Sequence, residues 1–275
     1  MILIINFMII LMVFLWVDVL LNLGYNMIVG LIFLTFHGYL QMIKFTKPII
    51  VSIDGNIGSG KSTLIEIMKQ ELPEFNYVDE PVKEWLETKD SQDKNLLTNF
   101  YEDKNRWSYT FQNYAFITRC KKLLNAIEKN KPKNIFESFK LIFNRLMYGK
   151  KLIIFTERSI LTDRKVFAEM LHDEKQINSM EWMMYLDWYK LFEETLKIDK
   201  VIYLRTEPEV SLKRVNKRAR DEEKTVELDY LKSVHQKHEE WLLKNKTALV
   251  LDNNNDFQEN PDVKQILLRQ IKNFV

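Results

Sequence analysis

Residues 49–63 read IIVSIDGNIGSGKST, and this stretch decides the fold. Pro48 to Asp54 is a nearly unbroken β-branched run, the pattern of a strand buried on both faces. Gly55-Asn56-Ile57-Gly58-Ser59-Gly60-Lys61-Ser62 then matches G-x-x-x-x-G-K-[ST]. Glycines let backbone N–H groups turn inward around phosphate oxygens, and the helix that follows adds its dipole. In such a loop the Lys61 amine neutralises the outer phosphates and the Ser62 hydroxyl faces Mg²⁺. Gly55, Asn56, Gly58, Ser59, Gly60, Lys61, Ser62 and Thr63 are therefore the candidate residues for ATP phosphates. An ordinary Gly-rich strand–helix turn is the bland alternative. It is disfavoured because three of the four glycines after residue 43 stand in this loop.

Working outward, short β-branched runs alternate with long amphipathic stretches, which predicts an α/β fold with a parallel sheet. Phe75 to Val78, Leu152 to Thr156, Lys200 to Arg205 and Ala248 to Leu251 read as the other four strands. Helices are expected from Lys61 to Leu72 and around 98–129, 163–171, 179–197, 208–222, 227–245 and 261–273. No internal repeat or long linker interrupts residues 44–275, so one domain is expected there.

Chemistry-bearing residues follow the strands. Glu80 stands after the second strand, where a carboxylate can accept a hydroxyl proton or face Mg²⁺. Glu157 and Arg158 follow LIIFT, offering a metal-side carboxylate and a cation for a transferring phosphoryl group. Arg214, Arg218 and Arg220 follow KVIYLR on an expected helix and suit a phosphate-covering lid. Phe100, Tyr101, Arg106, Trp107, Phe111, Gln112, Tyr114 and Arg119 mix aromatics with polar groups, as a base-binding wall does. Each of these motifs, taken alone, also reads as a solvated loop, a surface ion pair or a core stripe.

Together they resemble the deoxynucleoside kinase family, from about Ile49 to Phe257. The matching pieces include IDGNIGSGKST, DEPVKEW, FYEDKNRWSYTFQNYAF, ERSILTDRKVF and IYLRTEPEVSLKRVNKRARDEE. The resemblance implies a P-loop kinase fold, with a five-stranded parallel sheet flanked by helices and an Arg-rich lid. It implies transfer of the ATP γ-phosphate to a deoxynucleoside 5′-hydroxyl, as in nucleotide salvage. In that frame Glu80 is the general base, Arg158 and Lys61 serve the phosphoryl group, and Ser62 and Glu157 serve Mg²⁺. Tyr101 and Glu223 hold the sugar 3′-hydroxyl. Gln112 reads the base, with Trp85, Phe111 and Phe167 around it. Arg214, Arg218 and Arg220 form the lid, and Asp256 and Phe257 touch the donor base. Ala115 and the pair Arg119 and Asp163 match the deoxycytidine and deoxyguanosine subgroup. Deoxycytidine and purine deoxynucleosides are thus expected over thymidine, and a homodimer is the expected assembly. The alternatives are a catalytically silent, kinase-like structural subunit and another small-substrate P-loop kinase.

Composition separates two regions. The chain of 275 residues carries 40 basic and 38 acidic side chains, net +2, which argues against a nucleic-acid partner held by bulk charge. A single cysteine, Cys120, excludes an internal disulfide framework and suits a reducing, cytoplasmic setting. Residues 1–43 contain one charged side chain, Asp18. Ile2–Val17 and Met27–Phe36 are apolar runs, each shorter than the roughly 20 residues of a membrane helix. Three readings stay open for this segment: a membrane anchor, a buried helical extension, or residues upstream of a start at Met42. The last is favoured by its AT-rich-like composition, leaving 44–275 as the kinase domain. An extra amphipathic stretch, Ile135 to Tyr148, is expected to pack over the core, with a partner-binding helix as the alternative.

Overall fold

A computed structural model of the chain describes residues 47–244, 248–255, 257 and 260–275. The segment 1–43, with its anchor, extension and start-site readings, lies outside the described residues, as does Asp256. The described chain falls into two compact units. One contains Pro48–Lys131 and Lys151–Val275, and the other includes Pro132–Lys150.

The larger unit is built on five parallel strands: β1 (Ile49–Asp54), β2 (Asn76–Val78), β3 (Ile153–Glu157), β4 (Lys200–Arg205) and β5 (Ala248–Asp252). Their spatial order is β2-β3-β1-β4-β5. Ile53 lies opposite Glu157 of β3, and Asp54 opposite Tyr203 of β4. The chain moves to one side of β1 for β2 and β3, then to the other for β4 and β5. That reversal opens a crevice beyond the carboxyl ends of β1 and β3, where ligands bind in open α/β sheets.

Side-chain alternation along the strands divides the core. Ile50 and Ile154 face one layer. Val51, Ile53, Ile153 and Phe155 face the other. All of these are buried, which accounts for strands that read as continuous apolar runs.

The second layer is closed by α1 (Lys61–Glu71) and α10 (Pro261–Phe274), through Leu64, Ile65, Met68, Leu267, Leu268 and Ile271. The first layer holds α2 (Val82–Glu87), α3 (Leu96–Glu102), α4 (Lys104–Lys129), α7 (Ser179–Glu193), α8 (Pro208–Arg218) and α9 (Leu228–Leu242). A further helical run, α6, joins Ile160–Thr162, a π-helical turn Asp163–Ala168, and Glu169–Asp173.

Three departures from the sequence expectation bear on the site. The stretch expected around 98–129 is two helices, because Asp103 leaves helical geometry at φ −140 and accepts from Arg106 N to cap α4. The stretch 208–222 ends at Arg218, because Ala219 takes the left-handed conformation at φ 52. Arg220 and Glu223 therefore stand on a separate turn, Asp221–Glu223. The short helix α2, which carries Trp85, was not anticipated.

In the other unit, Ile135–Tyr148 forms α5, capped by Asn134, with Gly149 in the left-handed region at its end. Its Phe136, Phe139 and Phe143 are 80%, 52% and 50% exposed.

Candidate active site

The phosphate loop leaves β1 and turns into α1. Gly58 and Gly60 sit at φ 76 and 87, where a side chain is strained. A Cβ on Gly58 would also come within 2.4 Å of the Ser211 carbonyl oxygen on α8. Asn56 fixes the loop from behind, donating to Leu231 O at 2.9 Å and accepting from Ile57 N at 2.8 Å. Asn253 Nδ2 donates to Ser59 O at 2.6 Å, tying the loop to the segment after β5.

Lys61 folds back over its own loop, donating to Gly55 O at 3.1 Å and Asn56 O at 2.6 Å. Burial, followed by the nearby Arg158, lowers its pKa to about 7. A bound polyphosphate would restore the charge that burial suppresses.

Ser62 Oγ donates to Glu157 Oε1 at 2.8 Å. A hydroxyl and a carboxylate side by side are hard oxygen donors that suit Mg²⁺, which takes one or two protein ligands and completes its shell with phosphate and water. Ser62 and Glu157 would hold it. Among the described residues there is no cluster of three or more His, Cys, Asp or Glu that would form an all-protein cage.

Glu80 lies beside these groups. One of its oxygens, Oε1, accepts from Arg158 Nη1 at 2.6 Å and from Arg119 Nη2 at 3.1 Å. Burial pushes the carboxyl up, but Arg158, Arg119 and Lys61 outweigh it and hold the pKa at about 2. Arg158 reaches this position from a left-handed backbone at φ 59, anchored by its N–H to Ile53 O at 3.0 Å. For a non-glycine residue this geometry costs roughly 1–3 kcal/mol, the kind of local strain that surrounding packing sustains at functional sites.

Arg119 is held on three sides. Its Nε donates to Asp163 Oδ2 at 2.8 Å, its Nη1 to Glu157 O at 2.8 Å, and its Nη2 to Glu80. Burial opposes its charge, but Asp163 and Glu80 raise its pKa and keep it cationic. Asp163 enters from the π-helical turn, which also carries Phe167 one turn further on. Arg158 lies 5.0 Å over the Phe167 ring.

Aromatic rings close the same cleft. Phe111 stacks on Phe100 at 4.5 Å and meets Trp85 edge-on at 5.3 Å. Trp85 is fixed by its Nε1 donating to Thr118 Oγ1 at 3.0 Å. Gln112 and Ala115 are buried beside them. Among the described residues the Gln112 amide makes no hydrogen bond, so its donor and acceptor face the cleft unused.

The cleft thus brings together Gly58, Gly60, Lys61, Ser62, Thr63, Glu80, Trp85, Tyr101, Phe111, Gln112, Ala115, Arg119, Glu157, Arg158, Asp163, Phe167, Arg218, Arg220 and Glu223. Gly55, Asn56 and Ser59 support the loop without lining it. Arg214 does not line this cleft and donates to Asn253 O at 2.9 Å, the residue that also ties down Ser59 of the phosphate loop. Phe257 is buried against Gly60. Val82, Leu97 and Tyr230 also line the cleft and were missed. Tyr230 belongs to the apolar stripe of α9, where nothing local separates a wall residue from a core residue.

A family model described as "Deoxynucleoside kinase" matches residues 51–275. The chain belongs to this family. It is 34% identical over 252 residues to "Deoxycytidine kinase 2" of Gallus gallus, with 82% of this chain and 89% of that protein covered. It is 37% identical over 233 residues to "Probable deoxycytidine kinase FPV151" of Fowlpox virus (strain NVSL), with 82% and 87% covered. It is 30% identical over 250 residues to "Deoxyguanosine kinase, mitochondrial" of Xenopus laevis, with 82% and 89% covered. As a deoxynucleoside kinase the chain is a phosphotransferase that uses ATP to phosphorylate deoxynucleosides, a reaction of nucleotide salvage. A catalytically silent subunit is not favoured.

Proposed function

We propose that this deoxynucleoside kinase phosphorylates the 5′-hydroxyl and prefers deoxycytidine and purine deoxynucleosides to thymidine. The observation that carries this reading is the unpaired amide of Gln112 beside the Arg119–Asp163 pair, within a cleft that also holds Glu80. Paired donors and acceptors suit a cytosine or purine edge, and a fixed charged pair leaves little room for a 5-methyl group.

Glu80 takes the proton of the 5′-hydroxyl as that oxygen bonds to the γ-phosphorus. The bond from γ-phosphorus to the bridging oxygen breaks in line, and ADP leaves. Lys61 and Arg158 neutralise charge on the moving phosphoryl group, and Arg218 and Arg220 cover the donor. Arg158 leaves Glu80 to do so, which raises the basicity of the carboxylate at the step that needs it. Mg²⁺, when bound by Ser62 and Glu157, supplies further neutralisation of the phosphates. Tyr101 and Glu223 hold the 3′-hydroxyl, Trp85, Phe111, Ala115 and Phe167 enclose the base, and Phe257 lies toward the donor base.

The kinase domain spans residues 44–275, consistent with a family match that begins at residue 51. The active form is a cytoplasmic homodimer. Met180, Met184, Trp188 and Leu191 leave an exposed apolar row along α7, with Ile117 exposed on α4. A buried free Cys120 suits a reducing compartment. Among the described residues no helix is long and apolar enough to cross a membrane.

Phosphoryl transfer from ATP to each of the four deoxynucleosides tests the substrate reading, and comparable kcat/KM for thymidine overturns it. Sedimentation equilibrium of the wild type and of Met184→Glu tests the assembly. The dimer reading requires the variant to dissociate.

A further inference from the structure

Glu223 stands where the two halves of the cleft meet. It is 6% exposed and ends the short turn after α8. Its Oε2 accepts from Arg218 Nη2 at 2.5 Å, and its Oε1 faces Arg220 Nη1 at 3.5 Å. On the acceptor side, burial and then the Glu223 charge raise the pKa of Tyr101, so this phenol remains a neutral hydroxyl donor within the field of the carboxylate. On the donor side, Arg218 lies close enough to Lys61 to help lower its pKa. The next residue back, Glu222, accepts from Asn95 Nδ2 at 3.0 Å. Asn95 is the N-cap of α3, the helix that carries Tyr101. The turn bearing Glu223 is therefore tied to the acceptor wall, while the arginine it holds belongs to the donor cover.

Both ion pairs compete with donor binding. Arg218 cannot turn toward a polyphosphate without leaving a nearly buried carboxylate short of a partner, and an under-satisfied buried charge is costly. A sugar hydroxyl bound to Glu223 supplies the replacement hydrogen bond.

We propose that Glu223 couples the two substrates: a 3′-hydroxyl bound to its carboxylate releases Arg218 and Arg220 to the donor phosphates. This rests on the acceptor reading above. It makes deoxynucleoside and ATP binding mutually reinforcing, with the acceptor's hydroxyl as the trigger. By linkage each substrate tightens the other by the same factor, which for a coupling of ordinary size is roughly 10-fold.

The test is calorimetric binding of a non-hydrolysable ATP analogue to the full chain, alone, with saturating 2′-deoxycytidine, and with saturating 2′,3′-dideoxycytidine. Deoxycytidine is expected to tighten the analogue roughly 10-fold, and the dideoxy compound to have little effect. In Glu223→Gln the analogue binds more tightly than in the wild type without any nucleoside, and deoxycytidine adds nothing. The proposal is overturned if both nucleosides tighten the analogue equally, or if deoxycytidine binds without changing its affinity. Failure of 2′-deoxycytidine to bind overturns the acceptor reading itself, and the proposal with it. The wild-type comparison stands without the variant, so a poorly folded Glu223→Gln protein does not blunt the test.

Discussion

Arg158 donates to Glu80 across 2.6 Å, from a backbone held in the left-handed region, although the two stand 78 positions apart in the chain. The pair joins the end of β3 to the loop after β2. It sets the resting protonation of the carboxylate proposed as base.

Replacement of Glu80 by Gln removes the proton acceptor but keeps the shape and a hydrogen-bonding oxygen for Arg158. Turnover is expected to fall by about 10²–10⁴-fold, the usual range for one acid–base group. Deoxynucleoside Kd, measured by calorimetry, should change far less. A variant that retains turnover assigns the base elsewhere.

Arg119 and Asp163 are buried and paired at 2.8 Å. Asp163→Ala alone leaves a buried guanidinium short of its partner, with an expected loss of about 3–5 kcal/mol in unfolding free energy. Arg119→Leu with Asp163→Ala removes both charges together. The double variant is expected to be more stable than the single Asp163→Ala variant and to raise kcat/KM for thymidine relative to deoxycytidine. Denaturant unfolding and steady-state assays check the two effects separately.

Gly58→Ala places a methyl group 2.4 Å from the Ser211 carbonyl at a positive φ. The loop and α8 must move apart, so ATP affinity should drop by at least about 10-fold while the far side of the sheet stays folded. Calorimetric titration with ATP and thermal unfolding distinguish a loop effect from global loss. The cost of a left-handed alanine alone, roughly 1–2 kcal/mol, is too small to unfold the domain.

His238 is fully buried, stacked on Tyr203 at 5.6 Å, and burial depresses its pKa to about 3. Below its ordinary value near 6.5 the unfolded chain binds a proton that the native state refuses. Stability therefore falls as pH drops from about 6.5 toward 3, by at most about 1.4 kcal/mol per pH unit. His238→Phe keeps a ring against Tyr203 and removes this term. Its unfolding free energy should vary less than that of the wild type between pH 6.5 and 4.5, because the Glu80 contribution, which begins to change near the carboxyl's ordinary value of 4.5, is common to both proteins and cancels from the difference. Parallel slopes in urea melts across that interval would falsify the assignment.

Much of this protein was written locally. The β-branched runs, the Gly-Lys-Ser loop and the helical periods are short-range signals, set by φ/ψ preference and by neighbours within one turn. They were enough for the parallel α/β fold, the position of the phosphate loop and the family, and each strand was found within a residue or two of its expected bounds. Packing decided what local pattern left open. Arg214 and Arg218 share a helix face in sequence, yet Arg214 is drawn to Asn253 across 39 residues while Arg218 enters the cleft. Ala219 ends α8 by adopting a conformation that its side chain does not announce. Tyr230 lines the cleft from a stripe that reads as core. Arg119 meets Asp163 across 44 residues and Glu80 across 39. Such contacts depend on where whole strands and helices stand, and burial then sets which charges persist. The sequence by itself determined the chemistry carried to the crevice. Only the tertiary structure decided which groups share it and which hold one another in check.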